Sequence, residues 1–209
     1  MKLKKKVKRF IFAVILIALL VAGGYFYYKN QGTTKDVKET KVVNEIKKYG
    51  YKLKDNKTKR YKKMFKELKE ILEAKEVDEE KYLNKITEMF IYDFYSLEDK
   101  AAKTDVGGVD FVYEPFLPNF LENAQDTYYK YIETNIYNNR KQALPVVDKI
   151  TIESSEKKEF AYGDKNDPEA YTVKVKWTYT DEDNFAEYQD EATIVFIHDD
   201  IKLSLVELQ

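Results

Sequence analysis

The chain of 209 residues contains no cysteine. Disulfides, thiolate metal sites and a lipidated N-terminal cysteine are thereby excluded, so any exported part must hold together on its core alone. Histidine occurs once, as His198 beside Asp199 and Asp200. A metal site there would have only carboxylates to complete it, so His198 reads instead as a hairpin residue among turn-forming neighbours. No Gly-x-Ser-x-Gly elbow, glycine-rich phosphate loop or pair of metal-binding histidines is present. A Leu-Pro-x-Thr-Gly sorting tail is absent as well, because Leu117-Pro118 and Leu144-Pro145 lack the residues that would follow. There is no internal repeat and no low-complexity tract. No residue is nominated by motif as catalytic, cofactor-binding or metal-binding, and no cofactor is expected.

Charge is missing from one stretch, residues 10–28, which runs for nineteen residues behind Lys2, Lys4, Lys5, Lys6, Lys8 and Arg9. As a helix it would be about 28 Å long, close to the hydrocarbon thickness of a bilayer. It closes on Tyr25, Phe26, Tyr27 and Tyr28, amphipathic rings of the kind found at the headgroup level. The expectation is a transmembrane helix at 10–28 behind a cytoplasmic tail at 1–9, with the remaining chain outside the cytoplasm, because Lys and Arg resist translocation. A secretory signal cleaved near Ala22-Gly23-Gly24 is the alternative, although signal cores are usually shorter.

What is plentiful is hydrophobic and aromatic residues, at 44% and 15%, including 18 Tyr and 12 Phe. The roughly 180 residues beyond the anchor therefore suffice for one domain with a core built from large rings. Net charge is −1, but it is unevenly spread: residues 29–75 carry +9 and residues 76–209 carry −16. The basic part could lie against anionic lipid or wall polymer, or be a solvated stalk and helix face laced with acids. The acidic remainder argues against nucleic-acid binding, which needs a cationic footprint.

Residues 29–57 read as a polar stalk, with Val42, Val43, Ile46 and Tyr49 as a weak amphipathic run. From Thr58, the spacing of Tyr61, Met64, Phe65, Leu68, Ile71 and Leu72 predicts a helix with one apolar stripe. Asp78 is an N-cap for a second helix running through Leu97, with Glu79 and Glu80 placed to suit its dipole. Gly107-Gly108 breaks the helical period. A third helix through Phe120, Leu121, Ala124, Tyr128, Tyr131, Ile132 and Ile136 is expected to end near Arg140.

From Val146 the period becomes two. A first strand begins at Val147, residues 163–168 form a turn, and Tyr171, Val173, Val175, Trp177 and Tyr179 alternate with polar residues. A strand through Ala192 to His198 and a hairpin at Asp199-Asp200 complete an antiparallel sheet of about four strands. Residues 58–209 are thus expected to be α+β, three helices packed on one face of a curved sheet.

This order of elements, including the helix that ends Phe90-Ile91-Tyr92-Asp93-Phe94-Tyr95-Ser96-Leu97 and the Gly-Gly break, resembles the cone-shaped fold of nuclear transport factor 2. With one span in front, it is similar to the extracytoplasmic scaffold subunits of bacterial type IV secretion and conjugation machines. With the anchor and the missing catalytic constellation, the resemblance leads to the expectation of a non-enzymatic interaction or assembly module of an envelope complex, with protein partners or a homo-oligomer. The outer sheet face, where Lys174, Lys176, Thr178 and Thr180 would lie, is the expected place for dimerisation. Some enzymes of the resembled fold use an Asp and a Tyr for proton transfer, so it also implies a candidate pocket at Tyr92, Asp93, Tyr95 and Asp110. A ligand-binding or ligand-processing cone is the competing expectation, and it requires an open cavity reaching Asp93 or Asp110. The proline-framed loop holding Tyr113, Phe116 and Phe120 is a candidate interaction surface if exposed, and a core closure if buried.

Overall fold

The computed structural model describes residues 40–209. The expected tail at 1–9, the expected span at 10–28 and the first part of the expected stalk, 29–39, lie outside the described residues. Among the described residues no helix is long and apolar enough to cross a membrane.

The elements are β1 (Val42–Ile46), β2 (Tyr51–Lys54), α1 (Lys59–Leu72), α2 (Glu79–Tyr95), α3 (Leu117–Asp126), β3 (Val147–Tyr162), β4 (Lys165–Tyr179), the short α4 (Glu182–Phe185), β5 (Glu191–Asp199) and β6 (Lys202–Leu208). The class is α+β, and the main sheet is an antiparallel meander in the order β3-β4-β5-β6. Both helix starts follow from local chemistry. Thr58 accepts the Tyr61 amide at α1, and Asp78 accepts the Lys81 amide at α2, as its N-cap position predicts.

One face of α1 is buried through Tyr61, Met64, Phe65, Leu68 and Leu72, while its Lys-rich face carries i,i+4 pairs such as Lys63 with Glu67 and Lys66 with Glu70. Such exposed pairs add only tenths of a kcal/mol and lace the Lys-rich face of α1 with acids. α2 is buried almost all round its C-terminal half and lies between α1 and the inward residues of the sheet. Tyr95 and Trp177 sit with ring centroids 4.2 Å apart at that contact. Because side chains alternate along a strand, Val195 and Ile197 point to the other face, where they form a second cluster with Tyr113 and Ala170.

Four expectations are corrected. Part of the expected stalk, residues 42–54, is a β-hairpin whose Ile46, Tyr49, Tyr51 and Leu53 join the main core, so folded structure begins well before Thr58. Gly50, with φ +72, makes the turn, and the period there is two rather than helical. The third helix stops at Asp126 instead of near Arg140. Beyond it the Tyr129 hydroxyl turns inward to donate to the Phe94 carbonyl at 2.6 Å and to accept the Gly107 amide at 3.1 Å, which a continuing helix would prevent.

The turn expected over 163–168 is confined to Gly163-Asp164, and Pro168 lies within β4 close to an irregularity in its pairing with β3. The last hairpin turns at Asp200-Ile201, one residue later than expected, with Asp200 at φ +57.

Candidate functional site

Asp93 and Tyr95 stand two residues apart on α2 and enter different environments. Asp93 is 5% exposed. Its carboxylate accepts from Lys57 Nζ at 2.5 and 2.7 Å, from Lys100 Nζ at 3.3 Å and from the Gly108 amide at 2.8 Å. Burial would push its pKa up, but Lys100, Lys57 and the Gly108 amide outweigh burial and hold it at about 2. Lys100 is buried too, and its contact with Asp93 and Asp99 raises its pKa despite desolvation.

The two glycines that break the helical period are explained by this closure. A side chain at Gly107 would place Cβ 1.9 Å from the Asp93 carbonyl oxygen, and Gly108 adopts φ +73 while donating to the carboxylate. Both carboxylate oxygens are occupied by cations of the chain itself, so Asp93 serves here as the anchor of an ion cluster.

Asp110 faces the same cluster from its edge. Burial raises its pKa, against the pull of Lys57, Lys54 and Lys202. Its backbone carbonyl accepts from Lys202 Nζ at 2.7 Å. Tyr92 leaves the group altogether: its hydroxyl lies 3.1 Å from Thr58 Oγ1, and the Arg60 guanidinium sits over its ring. The structure therefore leaves Asp110 within electrostatic range of the Asp93 cluster and directs both tyrosine side chains elsewhere.

Tyr95, itself 1% exposed, lies at the back of a half-open cleft of about 510 Å³ between α2, the 114–128 segment and the end of β6. Phe94, Tyr95, Phe116, Phe120 and Tyr128 supply rings, and the neutral amides of Asn119, Asn123 and Gln189 surround them. Pro115 and Pro118 position this wall: each sits in the first turn of a short helix, where a missing amide hydrogen costs nothing. Burial pushes the Tyr95 and Tyr128 hydroxyls up, and that of Tyr128 lies 3.0 Å from the Tyr179 hydroxyl. Glu207 is the one carboxylate in the lining. Rings and neutral amides suit recognition of an apolar group with polar backbone or amide partners.

The floor of the cleft is a sheet edge. Gln209 exchanges both backbone hydrogen bonds with Thr193, so in an antiparallel ladder its neighbour Leu208 turns its N–H and C=O away from β5 toward the open side. Earlier on β6 the same edge is capped, because the Tyr113 amide donates to the Leu205 carbonyl at 2.8 Å.

The candidate loop is thus divided. Tyr113 is buried in the second cluster, with its hydroxyl accepting from Lys165, whereas Phe116 and Phe120 are half-buried and line the cleft.

His198 is more than a hairpin residue. Its backbone amide and its Nδ1 lie 2.7 and 2.9 Å from Asp167 Oδ2, and its Nε2 lies 3.5 Å from Glu79. Glu79 also accepts from Tyr171 and pairs with Lys157, so the ring ties the start of α2 to β4 and β5. Among the described residues no group of side chains is arranged to hold a metal ion.

Sequence reasoning missed Lys57, Lys100 and Arg140. Arg140 donates to the carbonyls of Lys100 at 2.8 Å and Glu98 at 2.6 Å with its side chain 1% exposed. Arginine scarcity was an available signal. The chain has three arginines, and both of those in the described region, Arg60 and Arg140, bond backbone carbonyls. Compared with known proteins, the chain matches no family model, no curated protein and no solved structure.

Proposed function

We propose that the chain is a single-pass, membrane-tethered binding module whose extracytoplasmic domain takes an extended segment of a partner protein in the cleft beside β6. The carrying observation is the coincidence of an open ladder edge at Leu208 with the half-buried rings of Phe116 and Phe120, backed by the buried Phe94 and Tyr95. An added strand would take its main-chain hydrogen bonds from the edge and place alternate side chains among the rings, which is the logic of β-augmentation. The tether is supported by the charge-free stretch at 10–28 behind six cations. The resemblance to the cone of nuclear transport factor 2 and to scaffold subunits of conjugation and secretion machines supports assembly of an envelope complex as the setting. The pairing of Asp93 with Lys57 and Lys100 favours binding over proton-transfer chemistry at that carboxylate.

A second reading keeps the same cleft and fills it with a small apolar ligand, since about 510 Å³ lies within the usual size of small-molecule sites.

A peptide-display selection against the full chain in lipid nanodiscs separates the two. The proposal expects enriched peptides with apolar residues at alternate positions, whose binding is lost in Leu208→Pro, a change that removes an outward amide while sparing the bonds to β5. Selection of no peptide, together with saturation of the cleft by a co-purified small molecule, would replace it with the second reading.

A further inference from the structure

The segment 127–146 that follows α3 leaves three large apolar side chains in solvent: Tyr131 at 77%, Ile136 at 53% and Tyr137 at 69% exposed. They are not on a loose loop. Arg140 anchors its base through the carbonyls of Lys100 and Glu98, Gln142 bridges to Tyr131 and Glu133, and the Asn135 amide donates to Ala101 at 2.7 Å. A braced segment that still presents two tyrosines and an isoleucine outward is built to put them against something.

Its charge differs from its surroundings. Residues 127–142 hold Lys130, Arg140 and Lys141 against one acid, Glu133, inside a region that otherwise carries a large negative charge. Lys130 lies over the Tyr131 ring at 5.3 Å.

Its position in the domain selects the occupant. A chain of contacts runs from where the described structure begins to this segment: Lys41 bonds Asp55, Lys57 bonds Asp93, Lys100 bonds Asp93, and Arg140 bonds the Lys100 carbonyl. The two helices are antiparallel, since Lys57 before α1 meets Asp93 late in α2 while Glu67 meets Lys85. The start of β1 and the exposed tyrosines therefore share one end of the domain, opposite the α1–α2 turn at Lys75.

Between Tyr28 and Thr40 lie eleven residues, so the twelve Cα–Cα steps reach at most about 43 Å when fully extended. We infer that the 130–141 loop docks on the surface of the bilayer, its tyrosines and Ile136 entering the headgroup region and Lys130 and Lys141 meeting anionic lipid. Tyrosine and lysine are side chains suited to that interface, with an apolar body and a polar end. This rests on the tethered reading of residues 10–28 for its geometry, and the experiment separates the two.

The absence of cysteine makes single labelling sites clean. Full chains carrying Tyr131→Cys, Ile136→Cys, Tyr137→Cys or, as control, Lys75→Cys are labelled with an environment-sensitive dye and reconstituted into phosphatidylcholine vesicles with or without phosphatidylglycerol. Spin-labelled lipid then serves as quencher, and carbonate-resistant flotation reports insertion. The inference expects a blue shift and quenching at 131, 136 and 137 but not at 75, weakened when Lys130 and Lys141 are changed to Glu.

Flotation without quenching above the Lys75 control would overturn the inference while leaving the tether intact. Quenching without carbonate-resistant flotation would uphold the docking loop and refute the tether. A blue shift that grows with protein density and is insensitive to lipid quencher would overturn it in favour of contact between proteins.

Discussion

Asp93 and Tyr95 are separated by one residue and by roughly 200° around the axis of α2. On the Asp93 side, charges are buried and mutually paired, and two glycines let the following loop close over them. On the Tyr95 side the surroundings are rings, neutral amides and an open sheet edge. The comparison teaches that a titratable group and an aromatic group close together in sequence need not share a site. A carboxylate with its own cations is part of the scaffold, and the place left open is the one without fixed partners.

The largest effect that would test this contrast is on stability. Asp93→Ala leaves Lys57 and Lys100 without their common partner and should cost about 3–5 kcal/mol, read as a fall in the denaturation midpoint. Gly107→Ala should also destabilise strongly, because its methyl meets the Asp93 carbonyl.

The next effect concerns pH. The folded pKa of Asp93 is depressed from the ordinary 3.8 to about 2, so the native state binds fewer protons than the unfolded chain in that interval. Its contribution, about 2 kcal/mol, is fully present above pH 3.8 and is lost as pH falls through 2. Urea titrations of wild type and Asp93→Asn between pH 5 and pH 2 should converge toward the acid end; parallel curves would contradict the ion cluster.

Arg140→Ala removes charge-assisted bonds to two carbonyls and should cost about 1.5–3 kcal/mol, with hydrogen exchange accelerating first in residues 127–146. On the open side, Phe120→Ala removes a half-buried ring and should cost about 1–2 kcal/mol, less than a fully buried phenylalanine, while abolishing partner binding. The smallest change is expected from Lys66→Ala on the solvated face of α1, within about 0.5 kcal/mol of wild type.

Much of the architecture is legible in the residues because its causes are local. The apolar stripe of α1, the Asp78 cap and the alternation from Tyr171 to Tyr179 each specify an element within a few neighbouring positions. The β1–β2 hairpin was hidden by the shortness of its strands, by the lysines that alternate with Tyr51 and Leu53 in β2, and by Val42 and Val43, whose apolar side chains are exposed. The end of α3 depends on Tyr129 reaching across to Phe94 and Gly107, a long-range condition no local period carries.

The candidate site was half legible for the same reason. Asp93 and Tyr95 were singled out through the resemblance to a fold whose enzymes use an Asp and a Tyr, but their environments are decided by Lys57, Lys100 and β6, which come from distant parts of the chain. The aromatic loop was visible as such, while the burial of Tyr113 against β4 and β5 required knowledge of how the loop passes the β6 edge.

The most direct test of the division between a closed scaffold side and an open binding side is equilibrium binding of one display-selected peptide to four full-length proteins: wild type, Leu208→Pro, Phe120→Ala and Asp93→Asn, all held below their melting temperatures. The account expects Leu208→Pro and Phe120→Ala to lose the peptide while losing less stability than Asp93→Asn, since both side chains pack only partly against the core, and Asp93→Asn to melt earliest yet bind as wild type does. Loss of binding in folded Asp93→Asn, with Leu208→Pro unaffected, would contradict it and return function to the buried carboxylate.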